Sequence, residues 1–159
     1  VDFLRLPLPE KVFFPGWHEF CSVREEKRRM AMPEKKIVVV DDDATIRQTL
    51  YLILKKDYRV FLAKDSEEAL RNFRHGKFDL LIADFKLPHL NGLEMIGRFR
   101  ELGYKGQAIL ISAHPDMFTI DELTRYAVGH FFVKPLDLKA LMRSIEYLLR
   151  DGEFPARTP

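Results

Sequence analysis

From Lys36 onward, short apolar runs rich in β-branched residues alternate with longer segments of helical period, the pattern of repeated βα units. Five strands are predicted, over Lys36–Val40, Tyr58–Leu62, Phe78–Ala83, Gln107–Ile111 and His130–Val133. The well-filled runs among them suit parallel strands covered on both faces. Between the first two, Ile46, Leu50, Ile53 and Leu54 recur at helical spacing on one face. Leu138, Leu141, Met142, Ile145, Leu148 and Leu149 do the same near the end. Asp65, followed three positions on by Glu68, has the form of a capping box and opens a helix over Glu67–Arg74 that His75-Gly76 closes. A third helix follows Asn91-Gly92, and a fourth, less regular one lies between Asp116 and Tyr126. These stripes are read as core.

Residues 1–34 break the rhythm. Pro7, Pro9, Pro15 and Pro33 interrupt any period, and Phe13, Phe14, Trp17 and Phe20 follow neither helical nor strand spacing. The expected organisation is a weakly structured N-terminal extension over residues 1–34, a domain over 35–151 and a tail over 152–159. Within the extension, Ser22 and Glu25 can cap a short charged helix over Val23–Met30 before Pro33 stops it. Three readings of the extension stand side by side: a segment that docks its aromatics on a partner or on the domain, a weakly ordered leader, or a stretch upstream of a true translation start at Met32. There is no internal repeat beyond the βα alternation and no low-complexity tract.

A chain of 159 residues fits one domain with a small appendage. With 47% hydrophobic and 31% charged residues it is far from a disordered composition. Its 26 basic and 24 acidic residues leave a formal charge of +2, too little to drive direct nucleic-acid binding. The one basic cluster, Lys27-Arg28-Arg29, follows Glu25-Glu26 and reads as a solvated face. A single cysteine, Cys21, excludes an intrachain disulfide framework and suits a reducing compartment. Without a long apolar run or a signal-peptide pattern, no membrane span is predicted and a cytoplasmic location is expected.

Chemistry enters at the strand ends. Ile37 to Val40 runs into Asp41-Asp42-Asp43, Leu80 to Ala83 into Asp84, Ala108 to Ile111 into Ser112, and Phe131 to Val133 into Lys134. In an open parallel α/β sheet, ligands bind just beyond the carboxyl ends of the strands, so these groups converge in one crevice. Adjacent carboxylates raise one another's pKa unless a cation neutralises them. Oxygen-only donors describe a Mg²⁺ site, whereas zinc would call for His or Cys. The five histidines, His18, His75, His89, His114 and His130, lack metal-ligand spacing and are read as exposed loop residues. A lone carboxylate such as Asp84 can attack phosphorus to give an acyl phosphate. Mg²⁺, the Lys134 ammonium and the Ser112 hydroxyl would then each take one phosphoryl oxygen.

Together, Val38-Val39-Val40-Asp41-Asp42-Asp43, Asp84-Phe85-Lys86-Leu87-Pro88 with Asn91-Gly92, Ile111-Ser112-Ala113 and Phe131-Phe132-Val133-Lys134-Pro135 resemble the four signatures of the response-regulator receiver domain. The resemblance runs from about Lys35 to Asp151. It implies a flavodoxin-like (βα)5 fold, doubly wound, with a five-stranded parallel sheet in the order 2-1-3-4-5 and helices on both faces. It further implies Asp84 as phosphoacceptor and a Mg²⁺ site made by Asp41, Asp42, Asp84 and the Lys86 backbone carbonyl. Ser112 would be the switch hydroxyl, Lys134 the phosphate-pairing cation and Phe131 the rotameric switch aromatic. Lys86 and His114 stand where the family faces the water that attacks the acyl phosphate; a long cation at Lys86 would shield it and lengthen the phosphoryl lifetime. The Lys134-Pro135 bond is expected cis, as is frequent in similar domains.

The partners so implied are a histidine kinase or His phosphotransfer protein upstream and a protein target downstream, engaged through the face of the fourth helix, fifth strand and fifth helix. A phosphorylation-dependent homodimer is a further expectation. Two departures touch that face: Phe131 replaces the commoner tyrosine, and Ala127-Val128 stands where a Gly-Ala pair is usual. The chain would act as a signalling phosphoacceptor and not as an enzyme on other substrates.

Two rival readings stand beside this one. Asp41-Asp42-Asp43-Ala44-Thr45 also fits the nucleophile motif of haloacid-dehalogenase-type phosphatases, with Asp41 as nucleophile. That reading lacks the later acidic pair, since only Asp137 and Asp151 remain, and it leaves Asp84 idle. A phosphorylation-independent receiver-like interaction module would have no physical reason to keep mutually repelling charges at a buried edge. The chain ends soon after the last helix, so output through protein contacts, a phosphorelay intermediate and a fragment of a longer protein all stay open.

Overall fold

The computed structural model describes residues 34–150, so the expected short helix over Val23–Met30, Cys21, His18, the basic cluster and the tail lie outside the described residues. All five predicted strands form: β1 (Lys36–Val40), β2 (Arg59–Ala63), β3 (Leu80–Asp84), β4 (Gln107–Ser112) and β5 (His130–Val133). They pair in parallel in the order β2-β1-β3-β4-β5. This is the flavodoxin-like order, with its switch point between β1 and β3.

Three strands shift in their bounds from the expectation, β2 to Arg59–Ala63, β3 to Leu80–Asp84 and β4 to Gln107–Ser112. Tyr58 closes the preceding helix by donating its N–H to the Leu54 carbonyl at 3.0 Å, so β2 starts one residue later. Phe78 is spent on a ring stack with Tyr104, centroids 4.2 Å apart, and the Asp79 carboxylate accepts the Lys36 N–H at 2.9 Å. β3 therefore begins at Leu80 and runs one residue further, through Asp84, which pairs with Ile111. β4 likewise extends to Ser112, in register with Val133. Two site residues thus belong to the rigid sheet.

The helices are α1 (Ala44–Leu54), α2 (Ser66–Phe73), α3 (Gly92–Glu101), α4 (Ile120–Arg125) and α5 (Leu138–Arg150). Each begins on a side-chain acceptor, as orphan N-terminal amides require. Asp43 accepts from Thr45 N–H at 2.7 Å, and Asp137 from Lys139 at 2.9 Å and Ala140 at 3.0 Å. Asn91/Glu94 and Thr119/Glu122 form full capping boxes. The box expected at α2 is half formed: Asp65 accepts from Glu68 N–H, but the Glu68 carboxylate turns back to the Lys64 N–H at 2.8 Å. α4 is shorter than the predicted segment because Pro115–Met117 makes a separate 3₁₀ turn and Phe118 is extended.

Alternation along the strands divides the core in two. Val38, Leu81, Ala83 and Leu110 face Ala69, Ile96, Phe99 and Leu123 from α2, α3 and α4. Val39, Ile82, Ile109 and Ile111 face Leu50 and Leu54 of α1 and Leu141 and Ile145 of α5. Helices therefore cover both faces. The edge strand β5 is less covered: Phe131 and Val133 each keep 43% of their surface.

One histidine reading is corrected. His130 is not an exposed loop residue; it opens β5, half-buried, with Nδ1 2.9 Å from the Ser144 hydroxyl and its ring stacked on Tyr147. His75, His89 and His114 are exposed and lie outside helices and strands.

α4 ends in a left-handed cap. Ala127 has φ 51°, its N–H donates to Thr124 O at 3.1 Å, and the Val128 N–H reaches Leu123 O at 2.9 Å, the paired bonds of a Schellman motif. From α3, the Arg100 guanidinium grips this end, donating to the carbonyls of Tyr126 at 3.1 Å and Ala127 at 3.0 Å. It also bonds Tyr104 and Gly106 in the loop before β4. No helix among the described residues is long and apolar enough to cross a membrane.

Candidate functional site

The residues at the carboxyl ends of β1, β3, β4 and β5 converge as their order in the sheet requires. Asp41 and Asp84 are 1% and 4% exposed, although both are acids. Burial pushes the Asp41 carboxyl above its ordinary value, and this outweighs the N–H of Asp43 at 2.8 Å and the Lys134 ammonium, both of which pull it down. Lys134 Nζ lies 2.8 Å from Asp84 Oδ1 and 3.1 Å from Asp41 Oδ2. Burial alone would lower the lysine; its hydrogen bonds to Asp84 and Asp41 overcome that and hold it above the usual value. The lysine is placed by the Lys134 N–H to Ser112 O bond at 2.9 Å, and the Lys134-Pro135 peptide that follows it is cis.

Asp41, Asp42 and Asp84 offer carboxylate oxygens that all lie within 4.8 Å of one another, with Asp42 exposed and the other two buried. An all-oxygen donor set with one open side fits a hard cation that keeps several waters, which is how Mg²⁺ binds. The third acid of the run stands apart from this group. Asp43 caps α1, and the Thr45 N–H holds its carboxyl below the usual range.

The other expected residues differ in exposure. Ser112 is 3% exposed, and its Oγ accepts the His114 N–H at 2.9 Å. The Lys86 N–H donates to Asp84 Oδ2 at 3.0 Å. The side chains of Lys86 and His114 both face solvent. Phe131 is half-exposed, edge-on to Phe118 with centroids 5.7 Å apart, and Phe118 in turn lies 5.3 Å from Phe85, the residue after Asp84.

Several supporting residues were not singled out in the sequence. Arg47, on the first turn of α1, donates to the carbonyls of Asp41 at 2.7 Å and Asp42 at 2.9 Å and so fixes the acidic loop. Its spacing after the acids was the available signal. Phe118 bridges Phe85 and Phe131, a contact visible only once the loop before α4 has a path. Gly92 opens α3 hard against β3: a Cβ there would stand 2.2 Å from the Asp84 carbonyl oxygen, so no side chain fits.

Residues 37–146 match the family described as "Response regulator receiver domain". Among curated relatives, the transcriptional regulatory protein FlgR of Helicobacter pylori is 32% identical over 126 residues, 78% of this chain and 32% of that protein. Sporulation initiation phosphotransferase F of Bacillus subtilis is 27% identical over 119 residues, 74% of this chain and 96% of the relative. The chain spans only part of the regulators it matches, covering 51% of PhoP of Bacillus subtilis and 27% of NtrC of Azospirillum brasilense. Among solved structures, response regulator TrrA of Thermotoga maritima, in complex with Mg²⁺-BeF, superposes with a TM-score of 0.63 at 32% identity. The match covers 72% of this chain and 98% of TrrA. A CheY-like receiver from Methanospirillum hungatei, 24% identical, shares the fold with a TM-score of 0.70 over 75% of this chain and 96% of its own.

Proposed function

Because the chain belongs to the response regulator receiver domain family, we propose that it accepts a phosphoryl group on Asp84 from a histidine kinase or a His phosphotransfer protein. The observation that carries this is the pairing of Asp84 with Lys134 at 2.8 Å inside the acidic group of Asp41 and Asp42. A carboxylate oxygen of Asp84 attacks phosphorus, the phosphorus–nitrogen bond of the donor breaks, and the imidazole nitrogen leaves and takes up a proton. When bound, Mg²⁺ supplies positive charge that offsets the phosphoryl oxygens; Asp41, Asp42, Asp84 and the Lys86 carbonyl are the groups that would hold it. Lys134 pairs with the transferred group.

Ser112 then acts as the switch. Its hydroxyl leaves the His114 amide for a phosphoryl oxygen, and Phe131 turns into the space that opens beside Phe118. Lys86 and His114, on the exposed rim, govern how readily water reaches the acyl phosphate. The altered surface of α4, β5 and α5 engages a protein target or a second copy of the chain.

Incubation with acetyl phosphate and Mg²⁺ tests the assignment. A single acid-stable, alkali-labile phosphoryl group is expected, absent in Asp84→Asn. Steady release of free phosphate that is lost in Asp41→Asn but kept in Asp84→Asn would instead support the phosphatase reading.

A further inference from the structure

The loop between β3 and α3 is held at its base and again at its tip. At the base, the Phe85 carbonyl accepts both the Leu87 N–H at 3.2 Å and the Gly92 N–H at 2.8 Å. At the tip, Pro88 to Leu90 form a γ-turn: the Leu90 N–H donates to Pro88 O at 3.0 Å, and His89 between them has φ 71°. γ-turns with a positive central φ are the rare, strained form, and a non-glycine residue stays there only if its surroundings over-determine it.

Among the described residues, one hydroxyl bonds both ends of this turn. Ser66, the first residue of α2 and fully buried, donates its Oγ hydrogen to Pro88 O at 2.9 Å and accepts the Leu90 N–H at 3.2 Å. It therefore bonds both ends of the strained turn, and its own donor and acceptor are both satisfied. The neighbouring Glu67–His89 contact, at 3.7 Å between exposed side chains, adds little. Between the two anchors, Phe85 at the base and Pro88 at the tip, only Lys86 and Leu87 remain. The Lys86 carbonyl has correspondingly little freedom.

We infer that Ser66 is a positioning residue for the metal site: by clamping the Pro88–Leu90 turn it sets the path of the segment that presents the Lys86 carbonyl. This rests on the reading of that carbonyl as a Mg²⁺ ligand made above. It gives a residue outside the metal-binding group, at the start of α2, a part in loading the site.

The test is a Mg²⁺ titration of the full chain followed by backbone amide NMR shifts, with hydrogen exchange of the Leu90 amide measured separately without metal. Removing an outer partner of a metal ligand typically weakens binding about tenfold or more. Ser66→Ala should raise the Mg²⁺ dissociation constant about tenfold and speed Leu90 exchange. Glycine adopts positive φ without strain. The double variant Ser66→Ala/His89→Gly, whose turn no longer needs the clamp, should therefore regain Mg²⁺ affinity to within about threefold of the parent. Unchanged affinity in Ser66→Ala overturns the inference, and so does an equal loss in the single and double variants. A parent chain whose Asp41, Asp42 and Asp84 amides do not respond to Mg²⁺ overturns the metal reading itself, and this inference with it.

Discussion

Replacing Lys134 by methionine removes the ammonium from between Asp84 and Asp41 while keeping a side chain of similar length. The two carboxylate side chains are 5% and 2% exposed and the lysine 22%, so most of this ion pairing is out of water. Taking one partner from a fully buried pair costs about 3–5 kcal/mol, because the remaining charge is left uncompensated. The partial exposure of the lysine reduces that to about 2–3 kcal/mol here. In a domain of this size the melting temperature should fall by about 8–12 °C in EDTA.

The loss has a definite pH signature. The folded Asp41 carboxyl is already raised by burial, and without the ammonium it rises further. A carboxyl with a raised folded pKa contributes most at low pH and loses that contribution as pH rises through the folded value. The deficit of the variant should therefore be largest at neutral pH and shrink toward pH 5. Mg²⁺ and the lysine compete, since both neutralise the same oxygens. Excess MgCl₂ should stabilise Lys134→Met more than the parent, by about 1.4 kcal/mol for each tenfold gain in affinity. Thermal melts by far-UV circular dichroism, with EDTA or MgCl₂ at several pH values, read all three effects. A variant that melts with the parent in EDTA, or that gains less from Mg²⁺, refutes the reasoning.

Three further outcomes are expected. Ala127→Gly relieves a left-handed residue at a cost of unfolded-chain entropy, for a net gain of about 0.5–1 kcal/mol and a rise of a few degrees in melting temperature; the same change at Ala140, inside α5, should lower it. The Glu122 carboxyl is held below its ordinary value of 4.5 by the Thr119 N–H, so its support of α4 is complete above that pH and is lost as pH falls through the lower folded value. Protection factors of the α4 amides, corrected for the intrinsic pH dependence of exchange, should fall in acid, and Glu122→Gln should flatten that dependence. Lys86→Ala should shorten the lifetime of the acyl phosphate, measured by decay of radiolabelled phosphate after donor removal; an equal or longer lifetime shows that the exposed cation does not shield the site.

What the chain announced most clearly was the set of strand ends. Asp41, Asp84, Ser112 and Lys134 each follow or finish an apolar run, and a parallel sheet permits one meeting place for them. Local sequence says less where a residue's role depends on partners in other segments. Asp43 carries no sign of its role as a helix cap, since nothing local distinguishes it from the two acids before it; the Thr45 amide decides it. His130 begins the predicted fifth strand, but its partial burial depends on Ser144 and Tyr147 of α5, which the strand pattern does not mark. Ser66, Arg47 and Arg100 act through backbone carbonyls and amides of other segments, and no side-chain pattern marks where those will lie.

The grip of Arg100 on the carbonyls of Tyr126 and Ala127, just past α4, makes that helix a lever with its fulcrum at one end. Six residues long, it reaches about 9 Å from the riveted terminus to Ile120, which is 75% exposed. A force arriving through Phe118 or Phe131 then produces tilt instead of sliding. A rotation of about 10° carries Ile120 about 1.5 Å while the Schellman end stays still, so the largest displacement falls on the most exposed apolar side chain of the face.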